Sequence, residues 1–365
     1  MMLDGASRPG FGRWLVEPFA GEGFFPLYKL LWLGAVHATG GSYFAMILLL
    51  WITHVAICLL WGFLLARFDL PPAAIVFAVL AFGLASTNLE TLGWFMQWNA
   101  QLAIVFFLAA WHLLLGEVRP VRAAAVFLCL LAGALCSTRG IMSGLVLAVF
   151  VLMRKTRTER TGLALLCLTP TALLAAVMWL FVPHHQVQFD AALLYAGEYL
   201  VLNPLYEPLP VPRQNFDAGA LLICGLLKTA VFILAFRKAA PAVRPFLVTL
   251  VAFDLIVAAS LGYSRWSTGL ATTTSSRYQY ISLLCFGPMA GILIAQLRVR
   301  ARVAIILICA WGLAYPWKRH IEQWSTERGK VVRAAVERAR PEEHFDPSLV
   351  TAGRARELVR RYSLH

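Results

Sequence analysis

A chain of 365 residues that is 60% hydrophobic and only 14% charged lies far from soluble proteins, where about 25% of residues are charged. With a mean hydropathy of +0.70 it reads as an integral membrane protein, and the fold class that follows is all-α, a polytopic transmembrane helical bundle. The formal charge of +13 does not call for nucleic acid, because about half of the basic residues lie on loops or beside spans where anionic lipid headgroups account for them.

In chain order, residues 1–42 open on a polar Gly/Pro/Arg stretch and then an amphipathic piece from Phe24 to Ala38, whose aromatics suit a helix lying at the membrane interface. Apolar runs follow at 43–66, 73–87, 98–116, 123–136, 140–153, 161–182, 217–236, 245–262, 279–297 and 301–315, so about ten spans are expected over 43–315. Ser137, Thr138, Arg139 and Gly140 supply the break that keeps 123–136 and 140–153 apart. A charged tail, 316–365, closes the chain with a helical stretch near 325–340. The seven cysteines all fall inside apolar runs with no CxxC pair and read as small packing residues.

The loops after the odd-numbered spans hold or border 13 basic residues, from Arg67 to Arg302, whereas the other inter-span loops hold only Arg139, Arg213, Arg265 and Arg277. Lys and Arg near a span resist translocation. The parity therefore places 88–97, 137–139, 183–216, 263–278 and everything before residue 43 on the outer side of a cytoplasmic membrane. An exported stretch of 42 residues is expected to follow an upstream span, since no signal peptide pattern opens the sequence.

The stretch Glu22-Gly23-Phe24-Phe25-Pro26-Leu27-Tyr28-Lys29-Leu30-Leu31, a following span with His54 in its middle, and the acidic and aromatic loop Asn88-Leu89-Glu90-Thr91-Leu92-Gly93-Trp94 resemble the GT-C superfamily of polytopic glycosyltransferases. Glu22 and Phe24 stand where related members carry Asn and His. The resemblance spans most of the chain in architecture and about 40 residues in motif. It implies transfer, with inversion, of a sugar from a polyprenyl-phosphate donor to a glycan, lipid or protein acceptor outside the membrane. It also implies that the family's first span precedes Met1, and makes Asp4, just after that missing span, a candidate base.

Such a transfer needs a carboxylate to take the acceptor proton, cations to hold the phosphate, and a groove for the isoprenoid. The outward carboxylates are Asp4, Glu17, Glu22, Glu90, Asp190, Glu198, Glu207 and Asp217. Glu90 has the best surroundings, beside Trp94, Gln97, Trp98, Asn99 and Gln101, although an acid in an interfacial aromatic belt reads the same way. Arg139 and Arg277 are the first candidates for phosphate, Arg277 closing a hydroxyl-rich run from Thr272 to Ser276 and preceding Tyr278; Arg265 and Tyr263 stand in the same loop. Either arginine could instead reach to lipid headgroups.

In the long loop, Phe189–Leu202 is expected as an interfacial amphipathic helix over a substrate cavity. His184, His185, Asp190 and Glu198 could hold a divalent metal, but no HExxH or Cys/His spacing supports zinc, and no other cofactor motif occurs: P-loop, dinucleotide fingerprint and hydrolase elbow are all missing. Lys228 and Asp254 lie midway through neighbouring antiparallel spans at similar depth and are expected to pair structurally. The alternative is an ion or proton relay, which would make the protein a transporter or lipid flippase. A non-catalytic subunit of GT-C type is a third reading.

Overall fold

The computed structural model describes residues 11–18, 23–117, 119–154, 157–182, 186–206, 218–318 and 321–322. Asp4, Glu22, His184, His185, Glu207, Arg213, Asp217 and the tail stretch 325–340 lie outside the described residues. Among those described there are fourteen α-helices and no strand. Lipid offers no partner to a backbone amide, so a chain this apolar closes its hydrogen bonds within helices.

Two helices precede the bundle, α1 (Phe11–Val16) and α2 (Pro26–Ala38). The bundle follows as α3 (Tyr43–Arg67), α4 (Pro72–Leu84), α5 (Leu89–Gly93), α6 (Trp98–Leu114), α7 (Pro120–Cys136), α8 (Thr138–Arg154) and α9 (Arg157–Phe181). Then come α10 (Phe189–Leu202), α11 (Ala218–Lys238), α12 (Arg244–Arg265), α13 (Ser276–Ala295) and α14 (Val299–Ala314). Proline opens α2, α4, α7 and α12, where its missing N–H costs nothing.

Each of the ten apolar runs is thus a helix, but length does not make every one a span. Five are long and apolar enough to cross a membrane: Tyr43–Arg67, Glu159–Phe181, Ala218–Lys238, Arg244–Thr268 and Arg277–Ala295. A sixth results if α4 and the segment Ser86–Gly93, bent by 47°, count together. Helices α6, α7 and α8 have 17 residues and α14 has 16, short of the roughly 20 that a 30 Å core requires.

The ends of the helices sort as the basic loops predict. At one end Tyr43 donates to the Gly93 carbonyl at 2.7 Å, Tyr28 to Met96 O at 3.2 Å, and Glu90 meets Arg277. At the other, Arg67 donates to His112 O at 2.7 Å and the Arg154 guanidinium stacks over Phe68 at 4.9 Å. Helix α2 covers the first end, burying Tyr28, Trp32 and Val36 in one cluster with Trp14, Leu92, Phe95 and Trp98. Lys29 is buried with them, donating to the carbonyls of Trp14 at 2.5 Å and Glu17 at 2.7 Å. Burial lowers its pKa, against a smaller upward pull from Glu17.

Close packing rests on small residues. Helix α13 lies on α4 with Gly287 over Ala78 and Gly291 over Ala74; a Cβ on Gly291 would fall 2.6 Å from the Ala74 carbonyl oxygen. Without a hydrophobic drive inside lipid, such small faces are what lets two helices approach. Gly291→Leu is expected to force the pair apart and cost about 1–3 kcal/mol, the usual range for overpacking. A thermal melt in detergent no lower than the parent's would refute this. At the predicted break, Gly140 touches the Gly133 carbonyl, so α7 and α8 form a hairpin that any side chain at 140 would open.

Helix α10 has the predicted bounds but another course. Rather than lying across the outer face, it runs antiparallel to α12, with Gly262 against the carbonyl of Ala192 and Asp254 against Tyr199. Its C-terminal end reaches Lys228, ten residues from either end of α11. The cause is electrostatic: the orphan carbonyls at that end accept from a lysine that would otherwise be unpaired at mid-depth.

Candidate functional site

The polar residues at the Glu90 end of the bundle come from short irregular turns. A 3-10 turn at Ser86–Asn88 and the five-residue α5 interrupt the chain between α4 and α6, so Glu90 sits past the bend that ends α4. Extended Ser137 separates α7 from α8 and sets Arg139 in the first turn of α8. A second 3-10 segment, Leu270–Thr274, leads into α13 and sets Arg277 in its first turn.

These three residues, from three separate loops, meet. Arg277 Nη1 lies 3.3 Å from Glu90 Oε1, and the Arg277 backbone N–H donates to Glu90 Oε2 at 3.4 Å. Arg139 Nη2 donates to the Arg277 carbonyl at 2.9 Å. Tyr278 completes the group: the Arg277 guanidinium stacks on its ring at 4.9 Å and donates to its hydroxyl at 3.3 Å. Arg277 is thus paired with a carboxylate, while the Arg139 guanidinium reaches the Arg277 backbone. Arg139 Nη1 is enclosed and makes no hydrogen bond within the described residues. Enclosed polar atoms without partners recur nearby in sequence, on Asn88, Thr91 and Gln279, and both amide atoms of the fully buried Gln101 are in the same state. Buried donors and acceptors ordinarily find partners, in protein or water, so each of these atoms is open to a water or a polar ligand.

The deeper pair is equally clear in geometry. Lys228 Nζ lies 2.6 Å from Asp254 Oδ2 and donates at 2.7 Å to the carbonyls of both Leu200 and Asn203. Its three protons are thereby engaged. Asp254 also accepts from Ser282 at 3.3 Å and, through Oδ1, from the Tyr199 hydroxyl at 3.4 Å.

Arg265 is placed elsewhere, ending α12 close to Tyr195. Asp4 lies outside the described residues, so nothing joins it to Glu90 here. Of the proposed metal set, Asp190 is exposed on the first turn of α10 while Glu198 is buried two turns on, and no group of three or more His, Cys, Asp or Glu able to hold a metal occurs among the described residues. Glu198 accepts from Thr273 at 3.3 Å; burial pushes its carboxyl up, with that hydrogen bond opposing. A groove of about 520 Å³, mostly apolar, opens between α10 and α11 beside Leu194, Gly197, Glu198, Val201 and Leu221.

Sequence reasoning passed over Tyr199 and Tyr280. Tyr280 is fully buried and hydrogen-bonds His54 Nδ1 at 2.7 Å. Tyr195, Glu198, Tyr199 and Leu202 recur at helical spacing, a buried polar stripe that could have shown which face of α10 points inward. Compared with known protein families, with proteins of curated function and with solved structures, the chain matches none.

Proposed function

We propose that this protein is a membrane glycosyltransferase of GT-C type, moving a sugar from a polyprenyl-phosphate donor to a glycan, lipid or protein acceptor on the outer face of the cytoplasmic membrane. The single observation that carries the reading is the Arg139–Arg277 pair. Both arginines stand in the first turn of a helix, where the macrodipole already favours negative charge and disfavours cations. Among the described residues Glu90 pairs with Arg277, no carboxylate pairs with Arg139, and Arg139 keeps an enclosed donor unused. A phosphate group would satisfy that donor and be favoured by both helix dipoles.

Glu90 is the described carboxylate nearest the pair and is the base in this reading; Asp4 is the second candidate by resemblance. The apolar groove between α10 and α11 supplies walls suited to an isoprenoid. The four shorter apolar helices then count as spans where the bilayer is locally thinned, giving about ten in all, with the exported loops on the catalytic side. The transporter reading is less well supported, since Lys228 would have to release two carbonyls and a carboxylate to act as a relay.

Purified protein incubated with a polyprenyl-phosphate sugar and a glycan, lipid or protein acceptor is expected to glycosylate the acceptor and release polyprenyl phosphate. Arg277→Ala should lower the rate about 10-fold to 100-fold, as expected for loss of a hydrogen bond to a charged group. Undiminished turnover in that variant would remove Arg277 from phosphate binding. Donor binding without any turnover would favour the non-catalytic subunit.

A further inference from the structure

The first turn of α13 is held from behind at two successive carbonyls. Arg139 Nη2 donates to Arg277 O at 2.9 Å, and the Tyr199 hydroxyl lies 3.3 Å from the next one, Tyr278 O. The same hydroxyl lies 3.4 Å from Asp254 Oδ1, and Asp254 is bound through Oδ2 to Lys228. Tyr199 is fully buried and belongs to α10, whose end Lys228 anchors through Leu200 O and Asn203 O. A continuous line of contacts therefore runs from mid-depth to the backbone that carries the Arg277 side chain.

We infer that Tyr199, oriented by Asp254, is a positioning residue that sets the Arg277 turn against Arg139; the assignment rests on the donor reading above. The hydroxyl has one proton and two acceptors, so its place between Asp254 and Tyr278 O depends on both. Asp254, anchored by Lys228 and Ser282, supplies the fixed end. The Tyr278 carbonyl is the end that can shift, and with it the angle at which Arg277 meets Glu90 and an incoming anion. A guanidinium grips phosphate through a rigid fork, so a small rotation of this turn costs affinity for the charged head and leaves binding of the isoprenoid chain unchanged.

Tyr199→Phe tests this, removing one oxygen and leaving the ring volume. The full chain in detergent would be titrated with farnesyl phosphate and, separately, with farnesol. Tyr199→Phe is expected to weaken farnesyl phosphate about tenfold, with farnesol affinity and the thermal melt unchanged. Tyr195→Phe, which removes a hydroxyl bonded to Thr272 on the same helix, should change neither affinity. Equal loss of both ligands in Tyr199→Phe, or loss of neither, overturns the positioning role. If the unaltered protein does not prefer farnesyl phosphate to farnesol, or Arg139→Gln leaves that preference intact, the donor reading fails instead.

Discussion

Lys228→Met is expected to destabilise the protein by about 3–5 kcal/mol, the range found when one partner of a buried ion pair is removed. The variant leaves Asp254 buried, its side chain 5% exposed, with the Ser282 and Tyr199 hydroxyls as its donors among the described residues, and it strands the carbonyls of Leu200 and Asn203. Unfolding in increasing SDS would read the loss. The double variant Lys228→Met with Asp254→Leu should recover much of it, because burying neither charge removes the desolvation cost. Recovery should be incomplete, since α10 still lacks a donor at its end. A single variant within about 1 kcal/mol of the parent, the range of exposed ion pairs, would mean that water reaches this pair.

Arg139→Gln is expected to lower sugar transfer about 10²-fold to 10³-fold, the effect of deleting one preorganised donor from developing negative charge. Glutamine keeps a donor toward the Arg277 carbonyl but removes the charge and the unused Nη1. The fold should tolerate this, because removing a cation from a helix start that also neighbours Arg277 relieves a local repulsion. A melt at or above the parent's together with a lost rate would separate catalysis from stability. A rate within twofold of the parent would exclude Arg139 from the chemistry.

The sites of the helices were legible because apolar runs, proline starts and the Ser137–Gly140 break are local signals. That Glu90, Arg139 and Arg277 share one end of the bundle was legible too, since parity depends only on where basic residues fall. Their contact was not. Helices α4 and α13 are about two hundred residues apart, and no local pattern says that Ala74 and Ala78 should face Gly291 and Gly287. The count of spans was less secure for a physical reason: 16 or 17 residues make a stable helix between neighbours but fall short of a bilayer's thickness.

Helix α10 misled because amphipathicity alone does not distinguish an interface from a protein flank. Its buried face of Tyr195, Glu198, Tyr199 and Leu202 is polar enough to suit water, yet it meets α12, Thr273 and Asp254. Lys228 and Asp254 were legible as partners by depth. That they also hold the end of a third helix was not, since the carbonyls of Leu200 and Asn203 leave no trace in side-chain identity.

The Gly/Ala seam between α4 and α13 reaches beyond packing. Glu90 stands just past the top of α4 and Arg277 at the top of α13, so the ion pair bridges the heads of two helices whose faces touch backbone to side-chain stub. Where Gly287 and Gly291 meet Ala78 and Ala74 there is no long side chain to change rotamer, so this stretch of the seam has little conformational freedom to lose when a ligand arrives. Binding energy that a looser frame would spend on ordering its own arms stays available for the ligand.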